Sequence, residues 1–156
     1  MKIIAQNKKA FHDYQITDRL EAGLVLVGDE VKSVKAGHVS LSGSFAHLQA
    51  GELWLVNCHI TPYAKAYDHQ SKSDEYATRR RKLLLHKKEL GRISSDIARQ
   101  GITVVPLKIY TNKRGLIKVE LGIAKGKKKA DKREALKNAD LKRQAAREVK
   151  DVYKYR

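Results

Sequence analysis

The chain has 156 residues, with 33 Lys/Arg against 17 Asp/Glu and a formal net charge of +16. That length suits one compact domain with an appendage, and that charge points to a polyanionic partner, nucleic acid before anionic membrane. The lone Cys58 excludes an intrachain disulfide and gives no basis for a structural zinc site.

A single cysteine fits a reducing, cytoplasmic compartment. Met1–Asn7, followed by Lys8-Lys9, lacks the long apolar core of a signal peptide. No apolar run approaches the ~20 residues that span a bilayer, so a soluble protein without membrane contact is expected.

Residues 14–60 read mainly as strands. Tyr14, Ile16, Leu24 and Leu26 place apolar side chains at period two, and Gly23 marks a bend. Val31 and Val34, with Lys32 and Lys35 beside them and Gly37 behind, predict a helix near 29–36. Ser44–Leu48 and Leu53–Ile60 flank Gln49-Ala50-Gly51 as a hairpin. The polar stretch 64–80 reads as a surface loop.

Leu83, Leu90, Ile93 and Ile97 form one stripe, predicting a helix near 82–100 closed by Gly101. Alternation over Ile102–Tyr110 and Leu116–Ile123 predicts two strands around the turn Asn112-Lys113-Arg114-Gly115. The expected fold is mainly β with flanking helices: a small OB-like antiparallel barrel over 1–124. Period-two patterning would equally allow an open sheet.

Residues 125–156 hold 13 Lys/Arg against 5 Asp/Glu, a net +8 that equals the net +8 of residues 1–124. With almost no apolar stripe, this tail cannot offset its ordering entropy alone. Its Lys, Ala, Arg, Glu and Leu content favours helix once charge repulsion is removed. It is expected to be disordered when free and helical on RNA.

No catalytic constellation emerges. Gly122–Lys128 is one residue short of a phosphate-binding loop and has Lys128 at the Ser/Thr position. The six histidines form no ligand cluster, and Cys58 and His59 point to opposite faces of a strand. No enzyme activity, metal or other cofactor is expected. The competing reading from another class is a metal-dependent nuclease using His59, His86 and a carboxylate. The cations are better organised for RNA: Lys8-Lys9, Arg79-Arg80-Arg81-Lys82, Lys87, Lys88, Arg92, Lys113, Arg114 and Lys118 lie among Trp54 and several tyrosines that can stack on bases.

A series of strings runs in order over essentially the whole chain. They are Asn7-Lys8-Lys9-Ala10, Glu21-Ala22-Gly23-Leu24, Glu30-Val31-Lys32-Ser33-Val34-Lys35-Ala36-Gly37, His59-Ile60-Thr61-Pro62-Tyr63, Arg81-Lys82-Leu83-Leu84-Leu85-His86-Lys87, Gly101–Leu107 and Ala124-Lys125-Gly126-Lys127-Lys128 with Asp131-Lys132-Arg133. Together they resemble the SsrA-binding protein (SmpB) family, partner of transfer-messenger RNA in bacterial trans-translation.

The resemblance implies an OB-like barrel that binds the tRNA-like domain of that RNA and delivers it to stalled ribosomes. It also implies a tail that enters the small-subunit decoding centre and the empty mRNA channel. RNA binding in the family depends on the positions matching Asn7, Glu21, Leu84 and Lys118. With the grouped cations added, the expected RNA-binding set is Asn7, Lys8, Glu21, Arg81, Lys82, Leu84, Lys118, Lys125, Lys127 and Lys128. The expected ribosome-contacting set is Asp131, Lys132, Arg133, Lys137, Lys142, Arg143, Arg147, Tyr153 and Tyr155. A monomer is expected. Glu21 can accept hydrogen bonds from base or ribose, or can form an internal salt bridge that shapes the barrel.

Overall fold

The computed structural model describes residues 1–63, 74–99, 101–127 and 129–154. Contacts divide the chain into two units, Met1–Gly126 and Lys127–Arg156. The first contains β1 (Lys2–Gln6), α1 (Lys8–Asp13), β2 (Tyr14–Leu24), α2 (Gly28–Lys35), β3 (Val39–Ser40), β4 (Phe45–Gln49), β5 (Glu52–Val56) and β6 (His59–Ile60). It continues with α3 (Asp74–Ala77), β7 (Arg81–Leu84), α4 (Lys87–Ile97), β8 (Ile102–Thr111) and β9 (Ile117–Gly126); the second unit is α5 (Lys129–Lys154).

The large sheet closes on itself. Its order is β1-β8-β4-β5-β7-β2-β9, with β9 pairing back to β8. Six strands therefore form a ring, and every pairing is antiparallel. β1 pairs with β8 at Lys108–Thr111, while β4 meets the same strand at Val104. Closure removes the exposed edges that an open sheet would leave, and this is the OB-like barrel expected from the glycine-punctuated strands.

Inside the ring, Leu53, Leu55, Leu83, Val104, Ile109, Val119 and Leu121 pack with Val34 of α2 and Ile93 of α4. In β8 the run from Val104 to Leu107 is buried without alternation. The reason is that both faces are covered: Val105, Leu107 and Ala124 pack with Ala10 of α1 in a second small cluster. Gly122 makes this possible, since a Cβ there would lie 3.0 Å from a methyl of Leu107. The β4–β5 loop is Ala50-Gly51, both at positive φ (52° and 75°), the twist that a two-residue hairpin demands.

Two expectations are corrected. The helix read over 82–100 begins at Lys87, because Arg81–Leu84 is a strand inserted between β2 and β5. Leu83 imitated the first position of the helical stripe, but it is buried by pairing with Leu24 and Leu53. The body also extends to Gly126, two residues past the expected boundary, because β9 keeps pairing with β2 to that point. β1 and α1 were not anticipated. Of the predicted loop 64–80, positions 64–73 lie outside the described residues, and 74–77 form α3.

α5 realises the helix propensity of the tail over 26 residues. Each of its side chains that the structure describes is exposed.

Candidate nucleic-acid interface

Cross-strand register assembles one row of residues over five strands. Leu84 on β7 pairs with Gly23 on β2, Gly23 with Lys118 on β9, Lys118 with Tyr110 on β8, and Tyr110 with Ile3 on β1. The next row holds Glu21, Glu120 and Lys108. Side chains two apart along a strand share a face, so both rows lie on the outside of the barrel. Leu84 is 52% exposed, whereas its neighbour Leu83 is 3% exposed and inside. Gly23 lacks the side chain that would crowd Leu84: a Cβ there would sit 3.3 Å from the Leu84 Cβ.

Glu21 is exposed, and its Oε2 accepts a hydrogen bond from the Tyr110 hydroxyl. Burial raises the phenol pKa well above its ordinary value, and the hydrogen bond and charge of Glu21 raise it further. Tyr110 thus stays a neutral donor that fixes the carboxylate. Lys108 Nζ lies 5.6 Å from the Tyr110 ring centroid. Glu120 is shared by Lys108 Nζ at 3.7 Å and Arg19 at 3.9 Å, and the Arg19 guanidinium lies 5.6 Å from the ring of Phe11. Such solvated pairs contribute little stability, about 0–1 kcal/mol each; what they do is orient cations over this face. The salt bridge considered for Glu21 is replaced by a hydrogen bond to a phenol.

Beside Leu84 a groove of about 370 Å³ is lined by Gly23, Val31, Lys35, Leu84, Leu116 and Lys118, among others. It brings α2 and the β8–β9 turn next to the two rows.

The remaining expected RNA-binding residues separate by environment. Arg81 is the clear correction. It is 1% exposed, donating from Nε to Glu30 at 2.5 Å, from Nη1 to the Cys58 carbonyl at 2.7 Å and from Nη2 to the Ala77 carbonyl at 2.9 Å. Glu30, 3% exposed, also accepts from Arg79. Every arm of the Arg81 fork serves the interior, where a charge must be paired.

Asn7 is 5% exposed. Its Oδ1 caps α1 through Ala10 N at 3.2 Å, and its Nδ2 donates to the Pro106 carbonyl at 2.9 Å, so it anchors the helix that presents exposed Lys8 and Lys9. Lys82 points outward and pairs with Glu52 at 2.9 Å. Lys125 is exposed near the end of β9, and Lys127 is half-buried. Lys128 and Tyr155 lie outside the described residues. On α5, Arg133, Lys137, Lys142, Arg143 and Arg147 are exposed, while Asp131, Lys132 and Tyr153 are placed by backbone only.

Sequence reasoning counted Tyr110 among the tyrosines that can stack on bases, but missed its bond to Glu21 and missed Lys108 and Arg19. A signal existed, since Tyr110 and Lys118 are almost equidistant from the Asn112–Gly115 turn and so must pair across the hairpin.

A closed barrel with a cationic outer face, an exposed leucine and a positioned carboxylate, continued by a basic helix, defines a nucleic-acid-binding barrel protein. Residues 4–151 match the family described as SmpB protein. The chain is 49% identical to the SsrA-binding protein of Coprothermobacter proteolyticus over 98% of its own length and 100% of that protein. It is 51% identical to the SsrA-binding protein of Geotalea uraniireducens over 96% of each. A solved chain described under "tmRNA-SmpB: a journey to the center of the bacterial ribosome" is similar at a TM-score of 0.65 and 47% identity, covering 85% of this chain and 93% of that one. The chain belongs to the SmpB family.

Proposed function

We propose that this chain is an RNA-binding adaptor of trans-translation in the bacterial cytoplasm. Its barrel binds the tRNA-like domain of transfer-messenger RNA, and its basic helix enters the decoding centre and empty mRNA channel of the stalled ribosome. It acts as a monomer and by binding alone, without catalysis or a cofactor. The observation that carries this reading is the meeting of Glu21, Leu84 and Lys118 on one outer face of the barrel, in a chain with full-length kinship to SsrA-binding proteins.

Lys118 neutralises phosphate, Leu84 offers apolar contact, and Glu21, held by Tyr110, accepts hydrogen bonds that phosphate cannot supply. Lys8, Lys82 and Lys125 add sequence-independent attraction that weakens with salt. The tail cations, Arg133, Lys137, Lys142, Arg143 and Arg147, follow ribosomal RNA where no messenger remains to be paired.

Deleting 131–156 tests the division of labour. RNA affinity is expected to persist and peptide tagging to vanish; a truncated protein that still tags refutes it. Glu21→Ala is expected to weaken RNA binding by about 1–3 kcal/mol with an unchanged melting temperature. Sequencing the RNA that copurifies separates a dedicated partner, one enriched species, from general ribosome association. Free α5 is expected to exchange its amides far faster than the barrel.

A further inference from the structure

A second outer surface is centred on β4 and β5, strands that the two RNA-facing rows do not reach. Val25, just past β2, donates its backbone N–H to the Lys82 carbonyl at 3.0 Å; Lys82 pairs with Trp54 on β5, and Trp54 with His47 on β4. Lys82 stands two residues from exposed Leu84, so this row also faces outward. Val25 is 45% exposed, His47 is exposed and Trp54 is half-buried. Exposed Arg80, just before β7, lays its guanidinium 4.6 Å from the centroid of the Trp54 ring, and its Nη1 donates to Oε1 of Gln49 at the end of β4.

The charges on this face are sorted. Glu52 answers Lys82 at 2.9 Å, and Glu30 holds Arg79 and Arg81. Of the four basic residues from 79 to 82, Arg80 alone has no carboxylate partner among the described residues. The indole and Gln49 hold its fork in place, so its remaining N–H groups are set for one planar anion. One free cation is too few to track a phosphate chain, whose grip comes from several neutralised phosphates. A face of the indole on which a base could stack already carries the guanidinium. A tryptophan–arginine pair beside an exposed valine is instead the composition that dominates binding between proteins.

We propose that this face docks a protein: an acidic segment of one partner in the stalled-ribosome complex. A carboxylate of that segment meets the Arg80 fork, and an adjoining apolar side chain covers Trp54 and Val25. This rests on the reading that the chain works on the ribosome, and it adds a protein contact to the RNA contacts of the barrel and of α5.

The test uses the full chain with p-benzoylphenylalanine in place of His47, bound with transfer-messenger RNA to stalled ribosomes and irradiated. One polypeptide is expected to be captured, and mass spectrometry of the adduct is expected to place it in a segment that carries Asp or Glu. A synthetic peptide of that segment is then titrated against the free chain and followed by the emission of Trp54, the only tryptophan. It is expected to bind Arg80→Ala about tenfold more weakly. Arg80→Glu is expected to lose the adduct and to regain it when the mapped carboxylate is changed to Arg. Arg80 is exposed, so circular-dichroism melts of both variants should be unmoved. Adducts on RNA, adducts spread over many polypeptides, no adduct, a captured segment without a carboxylate, or equal peptide affinity for Arg80→Ala would each overturn the docking face. Failure of the unaltered chain to join stalled ribosomes would instead overturn the proposed function, so the two outcomes are distinguishable.

Discussion

Residues 1–124 and 125–156 carry the same net charge, +8 each, and organise it in opposite ways. In the barrel several of the cations are paired with carboxylates, although Lys35 and Lys118 have no such partner among the described residues. Glu30 holds Arg79 and Arg81, Glu52 holds Lys82, Asp18 holds Arg92, and Glu120 is shared by Arg19 and Lys108. On α5 the described cations stand in solvent. Part of the barrel's charge is therefore tied into its own surface, while the described charge on the helix lies open to solvent. A count of lysines and arginines sees no difference; burial and pairing make it.

This contrast can be broken or sharpened by substitution. Removing one partner of the buried pair, with Arg81→Ala or Glu30→Ala, should cost about 3–5 kcal/mol in denaturant unfolding, because an uncompensated charge stays inside. A loss below about 1 kcal/mol would mean that the pair is not structural. Gly122→Ala should cost about 1–3 kcal/mol by forcing Leu107 off its position, with RNA affinity per folded molecule preserved.

Burial pushes the Cys58 thiol up to about 11, the raising effect outweighing the opposite influence of Arg81. Thiol reagents at pH 8 should therefore label the native protein far more slowly than the unfolded one. Because the unfolded thiol ionises near 9.0, its contribution to stability should be intact below that pH and decline as pH rises toward 11. Equal labelling of native and unfolded protein would contradict this burial. The smallest effect belongs to α5: changing Lys142, Arg143 and Arg147 together to Gln should leave barrel stability within about 0.5 kcal/mol while impairing ribosome-dependent tagging.

The parts of the fold legible in the sequence were those decided locally. The hairpins around Gly51 and Gly115 announce themselves through turn chemistry and alternation. β1 and β7 were not legible, because each is a short strand made by distant partners. Arg81 was misjudged for the same reason. Inside a run of four basic residues it looks solvated, and only Glu30, 51 positions earlier, reveals that it is buried. Glu21, Leu84 and Lys118 entered through family resemblance; their convergence follows from the register of three strands that no short window contains.

Closure of the ring has a consequence for how the polypeptide is made. β8 carries the partners of β1, β4 and β9, and the bond from Asn7 to Pro106 spans 99 positions. Early segments must wait for late ones, so folding is governed by long-range pairing and is correspondingly slow. A nascent chain that halts before position 102 has no stave to join its two open rims. It would present bare strand edges to its neighbours, a hazard that ends when the final hairpin clears the exit tunnel and the barrel snaps shut.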